Sequence, residues 1–331
     1  MHIITKVGNE KMLQPYDLPL EKLYQYKPEL TKQPDFDTFW ADTLNELSQV
    51  KLQYTLTPYD YPVKGIKVYI VNFKGFNNAN IEGTFAVPEG DGKFPGLMLY
   101  HGYNWAADGC IHDVVNWALK GYAVFHMQVR GQQGYSSDNV VSSTGGVSGW
   151  MTKGLLDKKE YYYRAVYMDA VRALEVLVDL KEVDATRVGV HGGSQGGALT
   201  LAAAALSNIP IVAVSDFPYL SNFNRAIDVA MSPPYTELNE FFKRNTNPAI
   251  EIKAKETLSY FDIMNLADRI KCYTWVSIGL VDDITPPSTV FAMYNHLLCS
   301  KEISVNRYFG HEFMPGTVET KLRTLMKYLQ A

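Results

Sequence analysis

One serine in this 331-residue chain stands in a setting that could make it a nucleophile. The run Gly192-Gly193-Ser194-Gln195-Gly196-Gly197 contains G-x-S-x-G as Gly192, Ser194 and Gly196. Ordinary glycine and serine usage yields that pattern by chance about 0.1 times in a chain of this length. Its context is more specific. Arg187 to His191 reads as a strand that ends at the motif, and Ala198 to Ala202 reads as a helix that begins after it. A turn this tight leaves the serine hydroxyl at the carboxyl edge of a sheet, beside a helix N-terminus. A hydroxyl is a weak nucleophile and needs a base within hydrogen-bond reach. Only His296 and His311 follow Ser194 in the sequence. His296 falls inside a helical pattern, where a packing role suits it better. His311, in Gly310-His311-Glu312 just past the last strand, can hang from a loop over the serine. The acid that orients such an imidazole comes between serine and histidine, after the penultimate strand. Asp282 and Asp283 both fit, and spacing does not choose between them. A developing oxyanion needs two backbone N–H donors. Gln195, next after the serine, supplies one. The turn Tyr100-His101-Gly102-Tyr103-Asn104 offers the other through the main chain of Tyr103.

These residues need a sheet to hold them. From Phe94 onward short apolar runs alternate with helical patterns. Strands are expected over Gly96–Tyr100, Ala123–Val129, Arg187–His191, Ile211–Ser215, Tyr273–Ile278 and Ile303–Tyr308. Helices are expected over Val114–Lys120, Tyr161–Leu180, Gly196–Ser207, Pro287–Leu298 and Val318–Leu329. Such alternation predicts an α/β fold with a doubly wound, mostly parallel sheet. Ahead of it, Lys51–Pro58, Val63–Phe73 and Ile81–Val87 read as an antiparallel meander at the sheet edge. A helix is expected over Asp35–Leu47, with Asp35 as a plausible N-cap. Residues 1–34 read as an arm. Residues 132–159, rich in Gly and Ser, read as a loop insertion, and 219–268 as a helical excursion able to cap a site. No repeat or linker interrupts the chain, so residues 1–331 are read as one domain.

The net charge is −4, which argues against a nucleic-acid partner. No stretch reaches the ~20 apolar residues of a membrane span. The N-terminus has no signal-peptide pattern, so the expected location is the cytoplasm. Cys110, Cys272 and Cys299 match no metal motif and are expected as reduced thiols.

The chain resembles carbohydrate esterase family seven, the acetyl xylan esterase and cephalosporin C deacetylase group of the α/β-hydrolase superfamily. The family's R-G-Q, G-x-S-Q-G and H-E motifs stand here, in order, as Arg130-Gly131-Gln132, Gly192-Gly193-Ser194-Gln195-Gly196 and His311-Glu312. The stretches Tyr161-Tyr162-Tyr163-Arg164, Thr257 to Asp262 and Pro286 to Phe291 are also similar, so the resemblance covers nearly the whole chain. It implies Asp282 as the acid and Tyr103 and Gln195 as oxyanion donors. It implies release of acetate from acetylated xylo-oligosaccharides and cephalosporin C, with no metal or organic cofactor, and a hexameric assembly. Subunit contacts are then expected at the arm and at the loop insertion. Arg130 and Gln132 are expected to be structural, tying loops beneath the site. Two departures stand out. Gln128 replaces the family's Asp, removing that carboxylate partner from Arg130. Trp105 replaces a small residue beside the oxyanion turn, where it could narrow the acyl pocket, stack on a sugar ring or pack under the cap.

Two other readings compete with it. A peptidase of the same fold usually adds a gating domain, and the roughly 90 residues before the sheet are too few for a propeller. A non-catalytic scaffold would typically have lost a triad member.

Overall fold

Leu97, Met98, Leu99 and Tyr100 offer no charged side chain to solvent, and they form a strand buried on both faces. Alternate residues serve opposite layers: Leu97 and Leu99 join one apolar cluster, Met98 and Tyr100 the other. The computed structural model describes residues 17–105, 110–132 and 134–330. Its strands are β1 Tyr54–Tyr59, β2 Ile66–Lys74, β3 Asn80–Pro88, β4 Phe94–Tyr100, β5 Ala123–Met127, β6 Val183–Gly193, β7 Val212–Asp216, β8 Tyr273–Gly279 and β9 Lys301–Asn306. They form one sheet in the order β1-β2-β3-β5-β4-β6-β7-β8-β9. The β1–β2, β2–β3 and β3–β5 pairs are antiparallel and all others are parallel. This is an α/β-hydrolase sheet with the antiparallel edge that the sequence predicts.

Eleven helices accompany the sheet among the described residues: α1 Leu20–Gln25, α2 Phe36–Ser48, α3 Ile111–Ala118, α4 Tyr162–Asp179, α5 Gln195–Leu206, α6 Phe223–Val229, α7 Thr236–Arg244, α8 Pro248–Phe261, α9 Ile263–Leu266, α10 Pro287–His296 and α11 Thr317–Leu329. Helices α3 and α11 cover one face, where Trp117, Leu325 and Leu329 meet Leu97, Val124 and Val212. Helices α4, α5 and α10 lie in the cluster of the other face. The helical excursion contributes α6 to α9, whose apolar residues Phe223, Leu238, Phe241 and Ala254 join that same cluster. Among its described residues the loop insertion has no helix or strand.

Residues 1–16 of the expected arm lie outside the described residues. The rest is tied down. Asp17 accepts from Arg225 and from the Ser288 N–H, Leu23 is fully buried, and Asn295 on α10 donates to the carbonyls of Leu23 and Tyr26.

Two local expectations need correction. Asp35 occupies the N-cap position of α2 without capping it; its carboxylate accepts from Lys158 and Tyr260 instead. Strand β6 does not stop at His191. It continues through Gly192 and Gly193, which pair with Ser215 and Asp216 of β7. Glycine lacks the side chain that would block so close an approach.

Candidate active site

Ser194 alone separates the end of β6 from the start of α5. Its backbone sits at φ 57°, ψ −120°, a left-handed-side conformation that costs a residue with a Cβ of order 1–3 kcal/mol. The surroundings hold it there. The Ser194 N–H donates to the Asp216 carbonyl (3.0 Å), and the Ser194 carbonyl accepts from Ala198 and Tyr219 (3.0 Å each). The flanking glycines are required sterically. A Cβ at Gly196 would lie 2.0 Å from the Tyr100 carbonyl oxygen, and one at Gly192 would lie 2.5 Å from the Gly196 backbone.

His311 lies in the loop between β9 and α11. Its Nε2 is 2.9 Å from Ser194 Oγ, and its Nδ1 is 2.9 Å from Asp282 Oδ2. Phe217 packs edge-on against the imidazole, with ring centroids 4.7 Å apart. Asp282, fully buried in the turn after β8, accepts from the N–H groups of Ile284 (3.0 Å) and Thr285 (2.8 Å) and from the Thr285 hydroxyl (2.9 Å). An Nδ1–H donated to this carboxylate leaves Nε2 free to accept the serine proton. Such a chain can split a carbonyl compound through a covalent intermediate.

The neighbouring candidates are occupied elsewhere. The Asp283 carboxylate accepts from Ser232 Oγ at 2.7 Å. The Nε2 of His296 lies 2.8 Å from the Pro28 carbonyl.

The turn after β4 abuts the serine: a Cβ at Gly102 would stand 3.9 Å from the Ser194 Cβ. The next residue, Tyr103, is held by its phenol, which donates to Glu237 Oε1 (2.8 Å) and accepts from the Trp150 N–H (2.5 Å). Glu237, on α7, also accepts from the Met151 N–H at 3.1 Å. Burial pushes its carboxyl above the usual range. His101 closes the same turn from below. Its Nε2 accepts from the Val129 N–H (2.8 Å), and its Nδ1 lies 2.7 Å from the Gly102 carbonyl. Only a neutral ring can accept at Nε2. Burial agrees, holding the pKa down at about 4.

A sequence model of acetyl xylan esterases matches residues 13–330. The chain belongs to the acetyl xylan esterase family. It is therefore an ester hydrolase. The acetyl xylan esterase of Paenibacillus sp. R4 shares 41% of its sequence with this chain and superposes with a TM-score of 0.91, over 94% of this chain and 100% of that one. Acetyl xylan esterase 1 of Thermoanaerobacterium sp. JW/SL YS485 is 33% identical, with a TM-score of 0.88 over 94% and 99% of the two chains. Acetyl esterase Axe7A of Xylanibacter ruminicola is 28% identical over 320 residues, which are 92% of this chain and 70% of that protein.

The family's R-G-Q residues lie beneath the site. Arg130 is fully buried and pairs bidentately with Asp169 of α4, at 2.6 and 2.8 Å. It also donates to the Phe76 carbonyl and lies 3.6 Å from Asp138. Gln128 therefore does not leave Arg130 unanchored; a helix distant in sequence supplies the carboxylate. Gln132 donates to Gln195 Oε1 and accepts from the Asn104 N–H. Trp105 is 77% exposed, so it does not pack under the cap. No group of three or more His, Cys, Asp or Glu among the described residues is placed to hold a metal ion.

Sequence reasoning missed Asp169, Thr285 and Glu237. An acid inside the apolar stripe of α4 was a usable signal for Asp169. Thr285, three residues after Asp282, could have been read as a turn partner. Glu237, 134 residues from Tyr103, carries no local signal.

Proposed function

We propose that this chain deacetylates small O-acetyl esters through an acetyl-enzyme, with Ser194 as nucleophile, His311 as general base and Asp282 as its orienting acid. The observation that carries the reading is the unbroken hydrogen-bonded path from Ser194 Oγ through His311 to Asp282. In the first half-reaction Ser194 Oγ attacks the acetyl carbonyl carbon and its proton passes to His311 Nε2. The tetrahedral oxyanion is taken by the backbone N–H groups of Tyr103 and Gln195. Collapse expels the sugar alkoxide, which leaves with the proton from His311. Water, deprotonated by the same imidazole, then attacks the acetyl-enzyme and releases acetate. The substrates are acetylated xylo-oligosaccharides, and cephalosporin C offers a comparable acetyl ester.

In this reading the chain works as one domain, without a cofactor, in the cytoplasm and as a hexamer, with no membrane or nucleic-acid partner. One sheet running through every strand among the described residues supports the first of these. No helix among the described residues is long and apolar enough to cross a membrane.

The test is acetate release from p-nitrophenyl acetate, acetylated xylo-oligosaccharides and cephalosporin C by the wild type and by Ser194→Ala. Fast release that collapses in the variant is expected. A folded Ser194→Ala protein with its rate intact would sink the nucleophile assignment.

A further inference from the structure

A cleft of about 580 Å³ opens beside the oxyanion turn, lined by Asn104 and by Ser142, Ser148, Trp150 and Lys153 of the loop insertion. It begins close to the nucleophile. A Cβ at Gly102 would stand 3.9 Å from the Ser194 Cβ, and the two residues from Gly102 to Asn104 span at most ~7 Å. Its wall is built rather than incidental. The Asn104 N–H is held by Gln132 Oε1 (2.9 Å), and Asn104 Oδ1 accepts from the Trp150 indole N–H (2.9 Å). One face of Trp150 stacks on Tyr162, with centroids 4.8 Å apart and ring planes 26° apart. Trp105 follows Asn104 directly. Its N–H closes the turn onto the Gly102 carbonyl (3.0 Å), while 77% of the residue stays exposed. Trp150 thus lines a hydroxyl-bearing cleft, and Trp105 stands exposed one residue beyond the lining Asn104.

That combination suits a pyranose. A sugar ring presents C–H faces that cover an exposed aromatic surface, and hydroxyls that need a few placed polar partners. An acetyl group does not need this space; the alcohol side of the ester does. We infer that this cleft is a glycan subsite, holding the xylopyranose units next to the acetylated one, with Trp105 as the stacking face. The inference rests on the esterase reading of the adjoining site and adds where the leaving sugar chain lies.

Two measurements on the full chain test it. The first is calorimetric titration with unacetylated xylotetraose, which needs no working triad. The wild type and Ser194→Ala should bind it saturably, and Trp105→Ala and Ser148→Trp should each weaken binding about fivefold or more. The second is the ratio of kcat/KM on acetylated xylotetraose to kcat/KM on p-nitrophenyl acetate, expected to fall about fivefold in both variants. Absence of xylotetraose binding, as when another subunit fills the cleft, would overturn the subsite. So would binding, or a ratio, that neither variant alters. Failure of the nucleophile assignment looks different: Ser194→Ala would keep its ester hydrolysis while xylotetraose still bound.

Discussion

The side-chain amides of Gln132 and Gln195 hydrogen-bond to each other in both directions, at 2.8 and 2.9 Å. Gln132 Oε1 also takes the Asn104 N–H, and Gln195 Oε1 also takes the Tyr163 hydroxyl. One buried amide pair therefore joins the turn after β4 to the first residue of α5. Those are the two segments whose main-chain N–H groups are proposed to face the oxyanion. Gln132→Leu should leave the Gln195 amide and the Asn104 N–H short of partners. The expected loss is about 1–3 kcal/mol of stability and about tenfold in kcat, through misplaced donors. Urea unfolding and steady-state hydrolysis of p-nitrophenyl acetate read the two effects. A wild-type kcat in the variant would show that the pair does not position the donors.

The two adjacent aspartates should separate cleanly. In Asp282→Asn the amide oxygen can still accept from Ile284 and Thr285, so the fold is kept. The amide NH₂ then faces His311 Nδ1 and favours the wrong tautomer. We expect kcat to fall by about 10⁴. Asp283→Asn keeps an acceptor for Ser232 and should run near the wild-type rate. Equal effects from the two variants would refute the assignment of Asp282.

Lys321 of α11 and Asp216 of β7 form a buried ion pair at 2.7 Å, and Ser277 Oγ donates to the same carboxylate at 2.6 Å. The Asp216 carbonyl is also the acceptor for the Ser194 N–H. Lys321→Met strands a buried carboxylate and should cost about 3–5 kcal/mol. Adding Asp216→Asn should restore part of that loss, because no charge is then left unpaired. Denaturant midpoints of the single and double variants check this. A double variant less stable than Lys321→Met would contradict it.

Stability should fall as the medium is acidified. Burial holds His101 and His191 at about 4 in the folded protein, against about 6.5 when unfolded. Between those values the unfolded chain binds protons that the folded one refuses. Stability is therefore full above pH 6.5 and is lost as pH falls towards 4, by roughly 3 kcal/mol for each imidazole. Asp262 works in the opposite sense. Burial raises its carboxyl to about 6, so it adds stability as pH falls through that value. Burial holds His126 down in the same sense and raises the carboxyls of Glu82, Asp169, Glu175 and Glu237 alongside Asp262; the three buried imidazoles are expected to prevail, so the net trend is downward. Urea midpoints from pH 7 to pH 4.5 give the sum. Imidazole proton shifts of His101 and His191 should not titrate above pH 5; titration near 6.5 would contradict their buried, neutral state.

Much of the site was legible because its constraints are local. A strand, a glycine-flanked serine and a helix leave little freedom in how the chain can turn. The place of His311 follows from its position just past the last strand. Asp282 and Asp283 could not be told apart, since both lie in one short turn. A serine 51 residues upstream, Ser232, occupies Asp283 and leaves Asp282 to the imidazole. The partner of Arg130 was not legible for a similar reason: its carboxylate comes from α4, 39 residues away, rather than from position 128.

Sequence by itself thus determined the strand and helix order, the nucleophile turn and the histidine that follows, because sterics and apolar periodicity act between near neighbours. Tertiary structure alone decided which carboxylate meets which cation, that Glu237 reaches Tyr103 from α7, and that Trp105 stands exposed to solvent. Those outcomes depend on how segments far apart in the chain pack together, and no local pattern encodes that.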